Sequence, residues 1–193
     1  MRVTKTNRSK LANVAATDLP VTIDLESGYG VAAEVVGDIV RLAIDAGAVG
    51  CDLEDSFPAN GKLRAPAAQA DRIRRARLAA DGSGIRFFIN VRTDVFFQAA
   101  AEQHDDSMVV EAIARGRVYA EAVADGICAP GLADIRLIAR LAREIPLPLN
   151  IMVGGGTAPL RVLAESGVAR VSHGPGPYIM LMKALEEAER AAR

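Results

Sequence analysis

Short apolar runs alternate with helical stretches along this 193-residue chain, with almost no hairpin signal between them. That alternation implies a parallel sheet joined by helical crossovers. Acidic residues recur where the runs end, and chemistry spread over the C-terminal ends of many strands is the habit of a (β/α)8 barrel. The predicted fold is therefore α/β, of (β/α)8 TIM-barrel type and incomplete, with about six βα units forming a single partial-barrel domain over residues 1–193. The competing architecture, a doubly wound sheet, opens with a glycine-rich turn after its first strand. Here that turn is acidic.

The elements follow in order. Residues 5–16 read as a helix leading into a first strand at Leu19–Leu25, which Pro20 opens. Val31–Ala46 places Val35, Val36, Ile39, Val40, Ala43 and Ile44 at helical spacing. Further strands are expected at Ala48–Leu53, Ile85–Val91, Gly126–Ala129, Leu147–Val153 and Ala169–Ser172. Helices are expected at Ala67–Ala80, Met108–Ala124, Leu132–Glu144, Pro159–Ser166 and Tyr178–Ala192. Gly47, Gly126 and Gly167 stand between helix and strand, where a left-handed cap is expected. A barrel of this kind closes with eight strands, so the pattern starts partway round. Open edges invite aggregation, so either the chain is shortened or another chain covers the gap; the expected state is a homo-oligomer, a dimer or tetramer.

Charge and composition exclude several classes. Lys+Arg number 23 and Asp+Glu 24, which leaves no electrostatic footprint for nucleic acid or for a membrane surface. No apolar stretch reaches the roughly 18 residues of a membrane span, and MRVTKTNRSK has no signal-peptide core. Cys51 and Cys128 sit in apolar strand-like runs and read as buried thiols of a cytoplasmic protein.

The strand ends carry the chemistry. Val21-Thr22-Ile23-Asp24-Leu25-Glu26 ends in two acids spaced i, i+2, which strand alternation directs to one face. Two carboxylates together are costly without a partner, and a hard cation such as Mg²⁺ suits them; solvated strand-end acids are the alternative. Asp52 and Glu54 share a face after the second strand, with Asp55 on the other. One of Asp52 and Asp55 reads as a packing acid, and sequence does not rank them. Asn90, Arg92 and Asp94 share a face after the third. Asp24, Glu26 and Glu54 could thus hold a metal while Arg92 grips an anionic substrate; the alternative for Arg92 is a salt bridge to Glu54 or Asp94. Gly154-Gly155-Gly156 before a helix could cradle phosphate or be a plain turn. His173 suits an acid–base or a structural role. His104 is expected to face solvent, and Arg72, Arg74, Arg75 and Arg77 read as the solvated face of a helix.

Taken together, Asp24-Leu25-Glu26-Ser27-Gly28-Tyr29-Gly30, Gly47-Ala48-Val49-Gly50 leading to Leu53-Glu54-Asp55-Ser56, Asn90-Val91-Arg92-Thr93-Asp94, Pro148-Leu149-Asn150 and Gly167–Ser172 resemble the isocitrate lyase/phosphoenolpyruvate mutase superfamily. The resemblance runs from about Leu11 to Leu185 and is to its short, phosphonomutase-like bacterial members. It implies an (α/β)8 barrel, Mg²⁺ as cofactor, and a 2-oxo acid or its enolate. It places Asp24 and Glu26 on the family's metal-binding acids, Glu54 on its metal-linked glutamate and Arg92 on its substrate-binding arginine, with Asn90 and Ser172 near the pocket. The family's first two strands have no counterpart here, and its final swapped helices are cut short. Phe57–Pro66 stands where isocitrate and methylisocitrate lyases carry a cysteine loop; it has no Cys, which argues against those two reactions, whereas Asn60 matches the polar loop of the mutases and some decarboxylases.

The function so implied is that of a Mg²⁺-dependent lyase or phosphonomutase-like enzyme acting on a small 2-oxo acid of oxaloacetate, phosphonopyruvate or phosphoenolpyruvate type, through a metal-stabilised pyruvate enolate. Arg92, Glu54 and Asn60 would be catalytic, Arg92, Asn90 and Ser172 would bind substrate, and Asp24, Glu26 and Glu54 would hold the metal. The rival is a catalytically inactive truncated barrel serving as a binding or assembly subunit.

Overall fold

The computed structural model describes residues 12, 14, 16–154 and 156–192; the helix expected over 5–16 lies largely outside them. Six strands, β1 (Thr22–Asp24), β2 (Gly50–Glu54), β3 (Phe88–Arg92), β4 (Gly126–Cys128), β5 (Leu149–Met152) and β6 (Arg170–Ser172), form one sheet in sequence order. Every pairing is parallel. A doubly wound sheet reverses its strand order at a switch point; this one never does, so the sheet curls as an incomplete α/β barrel.

Helices fill the crossovers: α1 (Ala33–Asp45), α2 (Pro66–Asp81), α3 (Asp106–Glu121), α4 (Ile135–Glu144), α5 (Leu160–Glu165) and α6 (Gly176–Ala191). Asp105 caps α3 by accepting from the Ser107 and Met108 N–H groups at 2.9 and 3.1 Å. Asp134 caps α4 likewise, so that helix starts at Ile135 and not at Leu132. Leu53, Ile89 and Ile127 are fully buried in the core with Val36, Val40, Ile73, Val109, Leu137 and Leu141 from the helices. Each such side chain contributes about 1.5–3 kcal/mol. The intervening residues Asp52, Glu54, Asn90, Arg92, Cys128 and Asn150 occupy the other face of the sheet.

Three expectations are corrected by packing. Arg72 is 2% exposed, not solvated: its Nη1 donates to the Val31 carbonyl at 3.1 Å and its Nη2 to that of Ser27. Burial pulls its pKa down to about 10. Arg77 likewise reaches inward, donating to the Phe87 carbonyl at 3.1 Å and to the Asp125 carboxylate. Only Arg74 and Arg75 stand on the solvated face. Gly47 and Gly167 take the left-handed conformation (φ +94° and +89°), but before β4 it is Val123 that does so (φ +64°), and Gly126 lies within the strand. A Cβ at Gly126 would come within 3.0 Å of both Asn90 Oδ1 and the Phe88 ring.

The ends of the sheet differ from its middle. Among the described residues β1 and β6 each pair on one side only. No residue of α6 is buried, and its Tyr178, Met180, Leu181 and Leu185 are strongly exposed. No described helix is long and apolar enough to cross a membrane.

Candidate active site

The C-terminal strand ends open onto a cavity of about 640 Å³. Asp24, Asp52 and Arg92 line it from β1–β3; Cys128, Asn150, Met152, Arg170 and Ser172 line it from β4–β6. Register explains the gathering: Asp24 lies opposite Asp52, Asp52 opposite Asn90, and Glu54 opposite Arg92.

Arg92 is gripped by two carboxylates. Its Nη1 meets Glu54 Oε1 at 2.6 Å, while Nε and Nη2 form a fork on Asp94 at 2.7 and 3.2 Å. Its guanidinium lies 5.5 Å from the Phe97 ring centre. Burial works to lower the Arg92 pKa, but Asp94 and Glu54 outweigh it and hold it above its ordinary value. Glu54 behaves differently. Burial pushes its carboxyl up to about 7 despite Arg92 beside it, and the negative charges of Asp24, Asp94 and Glu26 add to that push. Asp52 is also raised by burial, against a hydrogen bond from Asn90 Nδ2 and the charge of Arg170.

Behind this wall, on the opposite face of the sheet, Asp55 is fully buried. It accepts from the Tyr119 hydroxyl at 2.7 Å, the Asp94 N–H at 2.9 Å, Thr93 Oγ1 at 3.0 Å and Arg115 Nη1 at 3.3 Å. Arg115 also donates to the Arg64 carbonyl at 2.9 Å. One network thus ties α3 to the Asp94 backbone and to the returning arm of the 57–66 loop. Desolvation raises the Asp55 pKa, opposed by these donors. Of the two acids that sequence could not rank, Asp52 faces the cavity and Asp55 is structural.

The turn after β1 does not follow the strand alternation. Glu26 lies beyond the end of β1 with φ +52°; its N–H donates to Asp24 Oδ1 at 2.6 Å, and its Oε1 accepts from the Tyr29 hydroxyl at 3.1 Å. Gly28 is obligatory there: its φ is +78°, and a Cβ would sit 2.9 Å from Val36 Cγ2. Among the described residues no three His, Cys, Asp or Glu side chains converge as a ready-made metal cage. Mg²⁺ does not require one, since it binds through one or two carboxylates and keeps several waters. A cation stabilises the ionised form of a carboxyl that burial, and after it the neighbouring acids, have raised, so the donor chemistry around Asp24 and Glu54 fits Mg²⁺.

The phosphoenolpyruvate phosphomutase family model matches residues 3–193. The chain belongs to that family. It is 33% identical over 185 residues to an uncharacterised protein of Mycobacterium tuberculosis, covering 96% of this chain and 66% of that protein. It is 32% identical over 180 residues to oxaloacetate decarboxylase 1 of Pseudomonas fluorescens, covering 91% of this chain and 59% of the enzyme. The chain therefore spans less than two thirds of the length of these curated relatives. A crystal structure of a candidate phosphonomutase from Burkholderia cenocepacia superposes with a TM-score of 0.93 at 49% identity, covering 97% of this chain and 75% of that one.

Against this family background the expected residues divide. Asp24, Glu54, Asn90, Arg92 and Ser172 come together at or beside the cavity. Glu26 accepts a bond from Tyr29 within its own loop, yet its charge still acts on Glu54. Asn60 is exposed at the tip of the 57–66 hairpin, where its Oδ1 accepts from the Lys62 N–H at 3.0 Å, and the structure does not bring it to the cavity. His173 is exposed. His104 is half-buried, not solvent-facing: its Nε2 lies 2.8 Å from the Phe96 carbonyl, with the two rings edge to face. Gly155 lies outside the described residues; the Gly154 N–H is taken by Thr157 Oγ1 at 2.9 Å. Asp94 holds Arg92 in the salt bridge that the sequence offers as the alternative for that arginine, whereas Asn150 and Arg170 are not among the expected site residues. Arg170 was findable, because it stands two residues before Ser172 and so shares its face.

Proposed function

We propose that this chain is a Mg²⁺-dependent enzyme that cleaves, or rearranges across, a C–C or C–P bond in a small 2-oxo acid. The observation that carries the reading is the Glu54–Arg92–Asp94 cluster beside Asp24 at the strand ends of a barrel in this family. Its similarity to oxaloacetate decarboxylase 1 points to the same substrate class.

Asp24 and Glu54 would hold the cation, with Glu26 reaching it through water. When bound, Mg²⁺ supplies Lewis-acid polarisation of the 2-oxo group and stabilises the oxyanion that develops. Arg92 binds the substrate carboxylate with the N–H groups that Glu54 and Asp94 leave uncommitted. Asn90, fixed by its bond to Asp52, and Ser172 orient the substrate from either side. The 57–66 loop, carrying Asn60, closes over the cavity and excludes water. Its lack of cysteine supports a decarboxylase, hydrolase or mutase over a Cys-loop isocitrate or methylisocitrate lyase. The exposed apolar residues of α6 support a homo-oligomer, the buried free thiols of Cys51 and Cys128 support a cytoplasmic enzyme, and the near-neutral charge argues against a nucleic-acid or membrane partner.

The test is decay of oxaloacetate and of phosphonopyruvate by the purified chain with and without Mg²⁺. Turnover that needs the metal is expected, together with a calorimetric Mg²⁺ signal that Glu54→Ala abolishes. Absence of turnover by a folded chain rejects catalysis, and the inactive binding or assembly subunit then stands.

A further inference from the structure

The β4–β6 wall of the cavity carries polar groups that the proposed chemistry leaves idle. Asn150 lies opposite Cys128 in one pairing and opposite Arg170 in the next. Arg92 and Arg170 both line the cavity, but their charges are balanced differently. Arg92 holds two carboxylates at hydrogen-bonding distance. Arg170 Nη1 stands 3.8 Å from Asp52 Oδ1, beyond a hydrogen bond, and that same oxygen already accepts from Asn90. The Arg170 side chain keeps 43% of its surface exposed. Asn150 is 3% exposed; its Nδ2 reaches Cys128 Sγ at 2.8 Å and Ser172 Oγ at 3.3 Å, yet its Oδ1 has no partner. That oxygen can only accept, so it suits a water or a hydroxyl, and the anion-receiving group on this wall is Arg170.

We propose that Arg170 is a specificity-determining residue, receiving a second anionic group of the substrate on the β4–β6 side of the cavity, with Asn150 and Ser172 flanking it. This rests on the 2-oxo acid reading above and sharpens it: the substrate carries two anionic groups. The acidic wall takes the cation and the 2-oxo carboxylate end, and Arg170 takes the distal carboxylate or phosphonate. A guanidinium suits either group. A mono-anion such as pyruvate leaves Arg170 with only its loose contact to Asp52.

Calorimetric titration in Mg²⁺ decides the matter, using difluorooxaloacetate, phosphonopyruvate and pyruvate against the wild type, Arg170→Gln and Arg170→Lys. Arg170→Gln should weaken the two-anion ligands about tenfold or more and pyruvate less than about twofold, and Arg170→Lys should recover part of the loss. Whichever two-anion ligand loses more identifies the distal group. Equal loss on all three ligands, or none, overturns the assignment. Should Arg170→Gln not fold, Arg170→Lys decides alone: a loss of about threefold confined to the two-anion ligands supports the assignment, and its absence overturns it. Selective, Arg170-dependent binding without turnover upholds Arg170 and removes catalysis. Turnover by a wild type that binds two-anion ligands no better than pyruvate does the reverse.

Discussion

The cavity's two walls are built by different means. On the β1–β3 side, Asp24, Asp52, Glu54 and Asp94 crowd around Arg92, and a second polar network behind the sheet braces them. Asp55 holds the Asp94 backbone while Tyr119 and Arg115 hold Asp55. On the β4–β6 side, Asn150 keeps an unpaired oxygen, Arg170 is loosely held, and β6 itself is half-buried to exposed. Charge at a strand end thus needs its own scaffold: the wall that concentrates acids is tied to a helix, whereas the wall that offers a cation and an amide keeps its groups available. Rigid electrostatics on one side and unspent hydrogen-bonding capacity on the other suit holding a metal and reading a substrate, respectively.

Removing the brace should have the largest effect. Asp55→Ala leaves Arg115 buried without its carboxylate, and urea unfolding should show a loss of about 3–5 kcal/mol. A loss below about 1 kcal/mol would mean that the acidic wall stands unaided. Next comes the charge within the wall. Because the folded-state pKa of Glu54 lies near 7, above its ordinary 4.5, the unfolded chain ionises first as pH rises. This carboxyl therefore makes the metal-free fold less stable between pH 4.5 and about 7, and the difference levels off above that. Glu54→Gln should gain on the wild type across that window by something on the order of 2 kcal/mol, read from melting temperatures over a pH series without Mg²⁺. Added Mg²⁺ should shrink the gap by binding the ionised carboxylate. The smallest effect is expected on the other wall. Asn150→Leu removes an unpaired acceptor together with one donor, so stability should change by less than about 1 kcal/mol. A much larger loss would show that Asn150 is a packing residue like those behind it.

What could be read beforehand follows the same division. The strand–helix alternation fixed the class of fold, and period-2 alternation put Asp52 with Glu54, and Asn90 with Arg92, on one face because β2 and β3 are regular there. It does not extend to Glu26, since β1 ends at Asp24 and the chain turns left-handed. The helix cations were misread because a run of arginines does not disclose that carbonyls at Ser27 and Val31, some 40 residues away, need donors. The Asp55–Tyr119 bond joins residues 64 positions apart and leaves no local trace. Val123 took the left-handed position expected of Gly126 because the helix ends earlier than its apolar pattern suggests, and the glycine is needed where Asn90 and Phe88 approach the strand.

The strict strand order has a kinetic consequence. Each strand pairs only with its neighbours in sequence, so no contact in the sheet waits for distant ends of the chain to meet. Assembly can spread outward from the fully covered pair β2–β3, one crossover at a time, and opening can retreat by the same steps. Amide exchange should accordingly be graded, slowest at Leu53, Val91 and Ile127 and fastest toward β6 and α6, with the substrate-reading wall breathing while the metal-side wall stays closed.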